Sequence, residues 1–131
     1  LAKTIDLINS ALQKSEISSA STVWRGIAEC AVTRNLRKED SAKKLVGKEL
    51  PLGGFQSTTA DEQVALDFVA GYNSQVVLEI SLTKGTHAID MSVYADNFAE
   101  QKEFLLGEGK LKITDTERVG KVLYVRGTYI E

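Results

Sequence analysis

The sequence changes its hydrophobic period after residue 74, and this change limits the fold more than any other feature. Five segments of the second half read as strands: 75–82, 86–91, 102–106, 110–114 and 121–130. The turn signals "TKG" and "GEG" separate some of them. Because strands joined by short turns pair antiparallel, we expect a largely antiparallel sheet here and not a parallel βαβ array.

The first half of the chain has mixed periodicity. Residues 4–15 place Ile5, Ile8 and Leu12 at helical spacing. Further helices are expected over 38–50 and 60–72, and strands over 21–27 and 53–59. Helices early in the chain and strands later predict an α+β fold.

The remaining segments have simpler interpretations. Residues 34–40 read as a charged, solvated loop, and Asp115, Glu117 and Arg118 read as turn residues before the last strand. The helix expected over 60–72 carries one apolar face, formed by Val64, Ala65, Phe68 and Val69.

Composition restricts the function classes. The 131 residues fit a single domain, 1–131, and the net charge of −2 argues against nonspecific binding to nucleic acid. No apolar run approaches the roughly 18 residues that a membrane helix needs, so no membrane partner is expected. Cys30 and His87 are each the single residue of their type, which excludes an internal disulfide and a cysteine metal cluster.

Three polar motifs stand out against this background. Arg25 ends a predicted strand and precedes Gly26, and a hydroxyl-rich run at 57–59 lies where a strand passes into a helix. Gln101 and Glu103 precede an apolar strand, and their spacing of two points both side chains to the same side of an extended chain. Each motif alone has an ordinary interpretation: a surface arginine, an N-cap, a common polar spacing. Their order and context carry the functional signal.

Taken together, the motifs resemble those of the bacterial exotoxin-type ADP-ribosyltransferases. The matching segments are Trp24-Arg25-Gly26, Phe55-Gln56-Ser57-Thr58-Thr59 and Gln101-Lys102-Glu103-Phe104-Leu105-Leu106. The stretches "LVGKELPLGGFQSTT" and "VVLEISLTKGTHAIDM" also look like the family, and the resemblance covers about residues 4–115. It implies two roughly perpendicular antiparallel β-sheets with flanking helices, with NAD in the cleft between them.

The chain departs from the family pattern in three places. Thr59 stands where the family has serine, which preserves a hydroxyl. "LLGEG" replaces the usual Leu-Leu-Pro-Arg-Gly after the catalytic strand, and "GYNSQ" lacks an arginine that some members have there. The last difference leaves the contacts to the NAD phosphates open.

The resemblance implies a division of roles around NAD. Glu103 would stabilise the positive charge that builds on the ribose as nicotinamide departs, and Ser57 would hold its carboxylate in place. Arg25 would present its fork of donors to a phosphate or ribose oxygen, and Gly26 would let backbone approach nicotinamide. No metal is required.

The remaining NAD-site residues have weaker assignments. Thr58 and Thr59 would support the site locally. Tyr72 would either stack on nicotinamide or be a surface aromatic residue of a turn, and the sequence does not choose between these.

The acceptor and the setting are less defined. Glutamine at 101 would suit an amide or a base edge, because a carboxamide both donates and accepts hydrogen bonds; Glu100, Tyr94 and Phe98 lie in the same segment. The expected function is mono-ADP-ribosyl transfer to a macromolecule, a protein or a nucleic-acid base. The alternatives are an NAD glycohydrolase and a catalytically silent NAD-binding module.

The expected setting is that of a delivered effector. The chain begins at Leu1 and shows no signal peptide, so we expect a domain of a longer parent protein. A toxin domain secreted or injected into a target cell's cytosol fits this expectation, with an immunity or delivery protein as a further partner.

Overall fold

The computed structural model describes residues 2–93 and 102–131. The predictions for Gln101, Glu100, Tyr94 and Phe98 therefore lie outside the described residues. No helix in the described ranges is long and apolar enough to cross a membrane.

The structure contains four helices and eight strands within the described ranges. The helices are α1 (Ala2–Gln13), α2 (Ala31–Asn35), α3 (Glu39–Lys43) and α4 (Glu62–Val69). The strands are β1 (Ser21–Ile27), β2 (Glu49–Leu52), β3 (Gln56–Thr59), β4 (Gln75–Leu82), β5 (Ala88–Asp90), β6 (Glu103–Leu106), β7 (Gly109–Val119) and β8 (Val122–Ile130). A short 3-10 helix, Met91–Val93, follows β5.

The strands follow the order β2-β7-β8-β4-β1-β3-β6-β5. The β4–β8 pair is parallel and the other described pairs are antiparallel. Between β1 and β3 the register contains the single pair Trp24↔Thr59. This junction separates a five-stranded group, β2-β7-β8-β4-β1, from a three-stranded group, β3-β6-β5. The predicted α+β class is confirmed; the strands form one continuous sheet order that this weak junction divides, and the expected perpendicular angle between the two parts stays a prediction.

The central strands carry a core on each face, because successive side chains of a strand point to opposite sides. On one face Val76, Leu78 and Ile80 of β4 pack with residues such as Leu123 of β8. On the other face Val77 meets α4, in a smaller cluster with Ala65, Val69 and Tyr124. Helix α4 is thereby held against β1 and β4, next to the junction with β3.

Two predicted elements differ from the structure. Residues 49–52 form strand β2 on the edge of β7, whereas a helix was expected to continue to residue 50. Gly47 has a φ of 89° that ends the helical turns, and its N–H donates to the carbonyl of Ile113. Part of the expected loop at 34–40 is helical, since α2 extends to Asn35 and α3 begins at Glu39.

The prediction of a turn at Asp115, Glu117 and Arg118 is wrong. These residues lie in β7, which continues to Val119 after a register shift between Ile113 and Asp115. Strand β8 explains the extension, because Arg126 bridges to the carboxylates of Asp115 and Glu117 at 3.3 and 2.7 Å. A stretch of charged residues is therefore held in the sheet by a cation on the neighbouring strand.

Candidate active site

Ser57 and Glu103 meet across the β3–β6 ladder. Ser57 is paired with Leu105, so Glu103, two residues away, is its diagonal neighbour on the same face. The Ser57 hydroxyl donates to Glu103 Oε2 at 2.7 Å. A charge-assisted hydrogen bond of this length restricts the rotamer of the carboxylate. The contact expected between these two side chains is present.

Arg25 reaches the same place from the other group of strands. Its Nη1 donates to the backbone carbonyl of Ser57 at 2.7 Å. Because the ladder between β1 and β3 contains the single pair Trp24↔Thr59, the arginine spans the junction with its side chain. The guanidinium has five N–H donors, so most of them remain for other partners.

A cavity of about 360 Å³ opens at this junction. Six of the predicted site residues line it: Arg25, Gly26, Ser57, Thr58, Thr59 and Glu103. The other lining residues are Trp24, Ala28, Val64, Ala65 and Phe68. The cavity thus combines an apolar wall from α4 with one cation and one carboxylate, as is typical of small-ligand sites.

Gly26 is required by the packing of α4 on β1. A Cβ atom at this position would lie 2.8 Å from Phe68 Cδ1 and 2.9 Å from the carbonyl oxygen of Ala65. Any side chain would push the helix away from the strand and change the cavity wall. The role expected for this glycine toward nicotinamide stays a prediction.

The two threonines use their hydroxyls within the protein. Thr58 is buried and donates to the carbonyl of Phe104 at 2.7 Å, which ties β3 to β6. The hydroxyl of Thr59 accepts from the N–H of Asp61 at 3.0 Å at the start of α4, where Asp61 is the N-cap. Both residues hold the walls of the cavity in place.

Tyr72 does not line the cavity, whereas Phe68 does. The two rings pack edge to face with their centroids 6.1 Å apart. Phe68 is 54% exposed although it was expected on the buried face of α4; Ala65 and Val69 are the buried members of that face. The signal for Phe68 was a second aromatic residue in the last turn of α4, four residues before Tyr72, which follows the helix. The stacking role of Tyr72 stays a prediction.

Lys102 is a second feature that the sequence did not reveal. It has a φ of 48°, in the left-handed region that side-chain-bearing residues seldom adopt. Its carbonyl accepts from the N–H of Ala60 at 2.9 Å, which links the start of β6 to the end of β3. The left-handed turn comes directly before Glu103, and strained backbone of this kind is concentrated at functional sites.

A row of polar side chains supports the site from the neighbouring strands. Trp24, Glu79 and Arg126 are paired in register across β1, β4 and β8. Glu79 accepts from Trp24 Nε1 at 3.0 Å and from Arg126 Nε at 2.8 Å. The hydrogen bond that Arg126 donates to Glu117 is the main reason that the pKa of Arg126 lies above its ordinary value. The row fixes the indole that precedes Arg25.

The geometry and comparisons with other proteins define the class and then the family. In the cavity between the two groups of strands, a serine holds a carboxylate and an arginine lies beside them. These are the features of an ADP-ribosyltransferase. The model of the ADP-ribosyltransferase exoenzyme family matches residues 1–124, and the chain belongs to that family. It is accordingly an NAD-dependent ADP-ribosyltransferase. No group of His, Cys, Asp and Glu side chains that could hold a metal occurs among the described residues.

Several solved toxins share the fold. Plx2a from Paenibacillus larvae is 23% identical with a TM-score of 0.75, covering 98% of this chain and 70% of that one. The C3 exoenzyme of Clostridium limosum is 16% identical with a TM-score of 0.76, covering 98% and 68%. Vis toxin from Vibrio splendidus is 22% identical with a TM-score of 0.68, covering 99% and 57%. No curated protein sequence matches the chain significantly.

Proposed function

We propose that the cavity binds the nicotinamide end of NAD and that Glu103 stabilises the ribose cation as nicotinamide leaves. The observation that carries this proposal is the 2.7 Å hydrogen bond from Ser57 to Glu103 in a cavity that Arg25 also lines. In the reaction the bond between ribose C1′ and nicotinamide nitrogen breaks, and its electron pair leaves with neutral nicotinamide. A nucleophile then attacks C1′ and loses its proton.

The environment of Glu103 suits electrostatic stabilisation. The side chain is half-buried, and Ser57 holds one carboxylate oxygen while the other is available to a ribose hydroxyl. A carboxylate that is oriented before the reaction has little reorganisation to make when the positive charge develops. Glutamine at this position would keep the shape and lose the charge.

Arg25 and Phe68 supply the binding contacts in this proposal. The Arg25 guanidinium is anchored by its bond to the Ser57 carbonyl, so its other N–H groups are positioned for the NAD phosphates. The exposed ring of Phe68 offers an apolar face to the nicotinamide.

We propose a macromolecular acceptor whose selection depends on Gln101. Support comes from its place in the chain, two residues before Glu103. Vis toxin has been solved in complex with agmatine, which carries a guanidinium group, and the BECa toxin of Clostridium perfringens with NADH. For this chain an amide or base acceptor is proposed, and a guanidinium acceptor is the alternative.

We further propose that the chain acts as a toxin domain inside a target cell, delivered by its parent protein or by a partner. The support is the description of its structural relatives as toxins. Expression of the chain inside a candidate target cell would stop growth, and expression of Glu103→Gln would not. Equal growth inhibition by both forms would contradict an enzymatic toxin.

The central experiment incubates the chain with labelled NAD, with and without a target-cell lysate. Label on a macromolecule shows transfer, and nicotinamide release without label shows a glycohydrolase. If neither product is formed, the chain is a silent NAD-binding module. Glu103→Gln is the inactive reference, and Glu108→Gln, an exposed carboxylate outside the cavity, is the matched control.

Gln101 is tested by separating the two products. Gln101→Ala should lose most transfer to the macromolecule and keep most NAD hydrolysis, because water needs no amide to orient it. The ratio of labelled acceptor to released nicotinamide is the measurement. Equal loss of both would place Gln101 in NAD binding, and efficient wild-type labelling of agmatine would show that glutamine does not exclude guanidinium.

A further inference from the structure

A second cavity, of about 400 Å³, shares no lining residue with the candidate active site. Part of its lining lies on the other face of the sheet. Its floor includes Val76 and Leu123, which belong to the larger core cluster, whereas the active-site cavity is lined by Ala65 from the cluster beneath α4. The two cavities therefore have separate linings, although the Tyr72 ring of the second packs against Phe68 of the first.

The lining of this second cavity is cationic. Arg37, Arg118 and Lys121 line it, and no acidic side chain of the described residues does, although the net charge of the chain is −2. Neither Arg37 nor Lys121 forms an ion pair with a residue in the described ranges. Three like charges that line one cavity repel one another, and an anion between them would reduce that repulsion.

Arg118 is held in place at the edge of the cavity. Its Nη2 donates to the carbonyl oxygens of Leu36 and Arg37 at 3.0 and 3.3 Å, where α2 ends. These two bonds leave the Nε and Nη1 donors without a partner in the described part of the chain. A guanidinium fixed at one edge presents its other donors without further loss of rotamer freedom, which suits bidentate binding of a phosphate.

Ser74 gives an independent indication of a ligand. It is 2% exposed and lines the cavity, and its hydroxyl has no hydrogen-bond partner among the described residues. The backbone N–H of Ser74 is already used, since it donates to Glu29 Oε1 at 3.1 Å. A buried hydroxyl without a partner is unfavourable, and a small shift of the Ser74 side chain toward the cavity would let an anion oxygen accept its proton.

We propose that this second cavity binds a phosphate dianion, either free or as a small phosphomonoester. A phosphate has enough acceptor oxygens for the guanidinium, ammonium and hydroxyl donors together. The cavity is larger than a phosphate, and Tyr72 also lines it, so the organic part of an ester has an aromatic surface to pack on.

The test titrates the purified chain with inorganic phosphate at constant ionic strength, with chloride as the balancing anion, by calorimetry. We expect one saturable site. Arg37→Gln combined with Lys121→Gln should weaken phosphate binding about tenfold or more, because two charge-assisted contacts are lost. The matched control combines Lys3→Gln with Lys84→Gln, two exposed lysines outside the cavity that give the same net charge. Arg118 is left intact because its carbonyl contacts support α2.

Ser74→Ala separates binding from folding. Removal of an unpartnered hydroxyl should leave the thermal midpoint unchanged or higher, while phosphate binding weakens about tenfold, the loss of one hydrogen bond to an anion. Equal affinities in the cavity variant and the control, or no saturable binding, would overturn the proposal. Displacement of phosphate by NAD would also overturn it, since the anion would then occupy the NAD site. Loss of transferase activity with phosphate binding retained would affect only the proposed function.

Discussion

The two sides of the β1–β3 junction are built differently. On one side β4 pairs with β1 over seven residue pairs, and β7 and β8 are 11 and 9 residues long. On the other side β3, β6 and β5 have only 4, 4 and 3 residues. Long ladders hold most of the first group together, whereas short ladders with side-chain hydrogen bonds at Ser57 and Thr58 hold the second. The candidate active site lies where one type of support gives way to the other.

Two neighbouring residues of β3 also differ in what their hydroxyl groups support. Thr58 is buried and its hydroxyl bonds to the backbone of β6, while Ser57 is exposed and its hydroxyl bonds to Glu103. Alternation along a strand sends one hydroxyl to the fold and the next to the cavity. Stability and catalysis should therefore respond to different substitutions within a single short strand.

The largest effect is expected at Glu103, on the weakly paired side. Glu103→Gln should lower nicotinamide release at least about a hundredfold, as expected for the loss of one preoriented electrostatic contact. The thermal midpoint and NAD affinity should change little, because the shape and the bond from Ser57 are kept. Single-turnover release of nicotinamide is the measurement, and near-normal rates would contradict the assignment of Glu103.

A substitution at Gly26 tests whether the packing of α4 on β1 shapes the cavity. Gly26→Ala should destabilise the fold by about 1–3 kcal/mol, since the new methyl meets Phe68 and the Ala65 carbonyl and overpacks the helix–strand contact. Denaturant unfolding measures the change. Gly71→Ala is the control, because a Cβ there meets nothing within 4 Å. Equal stability of the two variants would show that α4 moves freely on β1.

Substitutions at Ser57 and Thr58 should separate the effect on the reaction rate from the effect on stability. Thr58→Val should cost about 1 kcal/mol of stability, the typical net value of a buried hydrogen bond and its orphaned acceptor, and should leave the rate per folded molecule nearly unchanged. Ser57→Ala should do the reverse, lowering the rate about tenfold at constant stability, since the loss of one hydrogen bond of about 1.4 kcal/mol corresponds to a factor of ten in rate. Paired unfolding and turnover measurements decide, and the opposite pattern would contradict the division between fold and cavity.

The smallest effect at neutral pH concerns the well-paired side. Burial is the main reason that the pKa values of Tyr124 and Tyr129 in β8 are raised to about 12, against an ordinary value of 10. The unfolded chain therefore releases these protons first as the pH rises above 10, and the free energy of unfolding should fall between pH 10 and 12. Tyr124→Phe combined with Tyr129→Phe should flatten that fall. An unchanged slope in urea unfolding at alkaline pH would show that other groups control it.

Much of the fold and of the site could be predicted from local sequence patterns. The segments 21–27 and 75–82 coincide with β1 and β4 because their apolar and β-branched residues favour strands in any context. The motifs at Arg25, Ser57 and Glu103 were recognisable because each depends on a few adjacent residues, and in the structure Ser57 contacts both of the others.

Tertiary structure decided what depends on distant residues. Strand β2 forms because β7 offers an edge, and β7 continues through Asp115 and Glu117 because Arg126 lies opposite. Phe68 became part of the cavity wall only when Gly26 allowed α4 to approach β1. Arg37, Arg118 and Ser74 are far apart in the sequence and share a cavity only after folding. Periodicity reports which face a residue prefers, but the partner on that face is set by long-range pairing, which no local pattern contains.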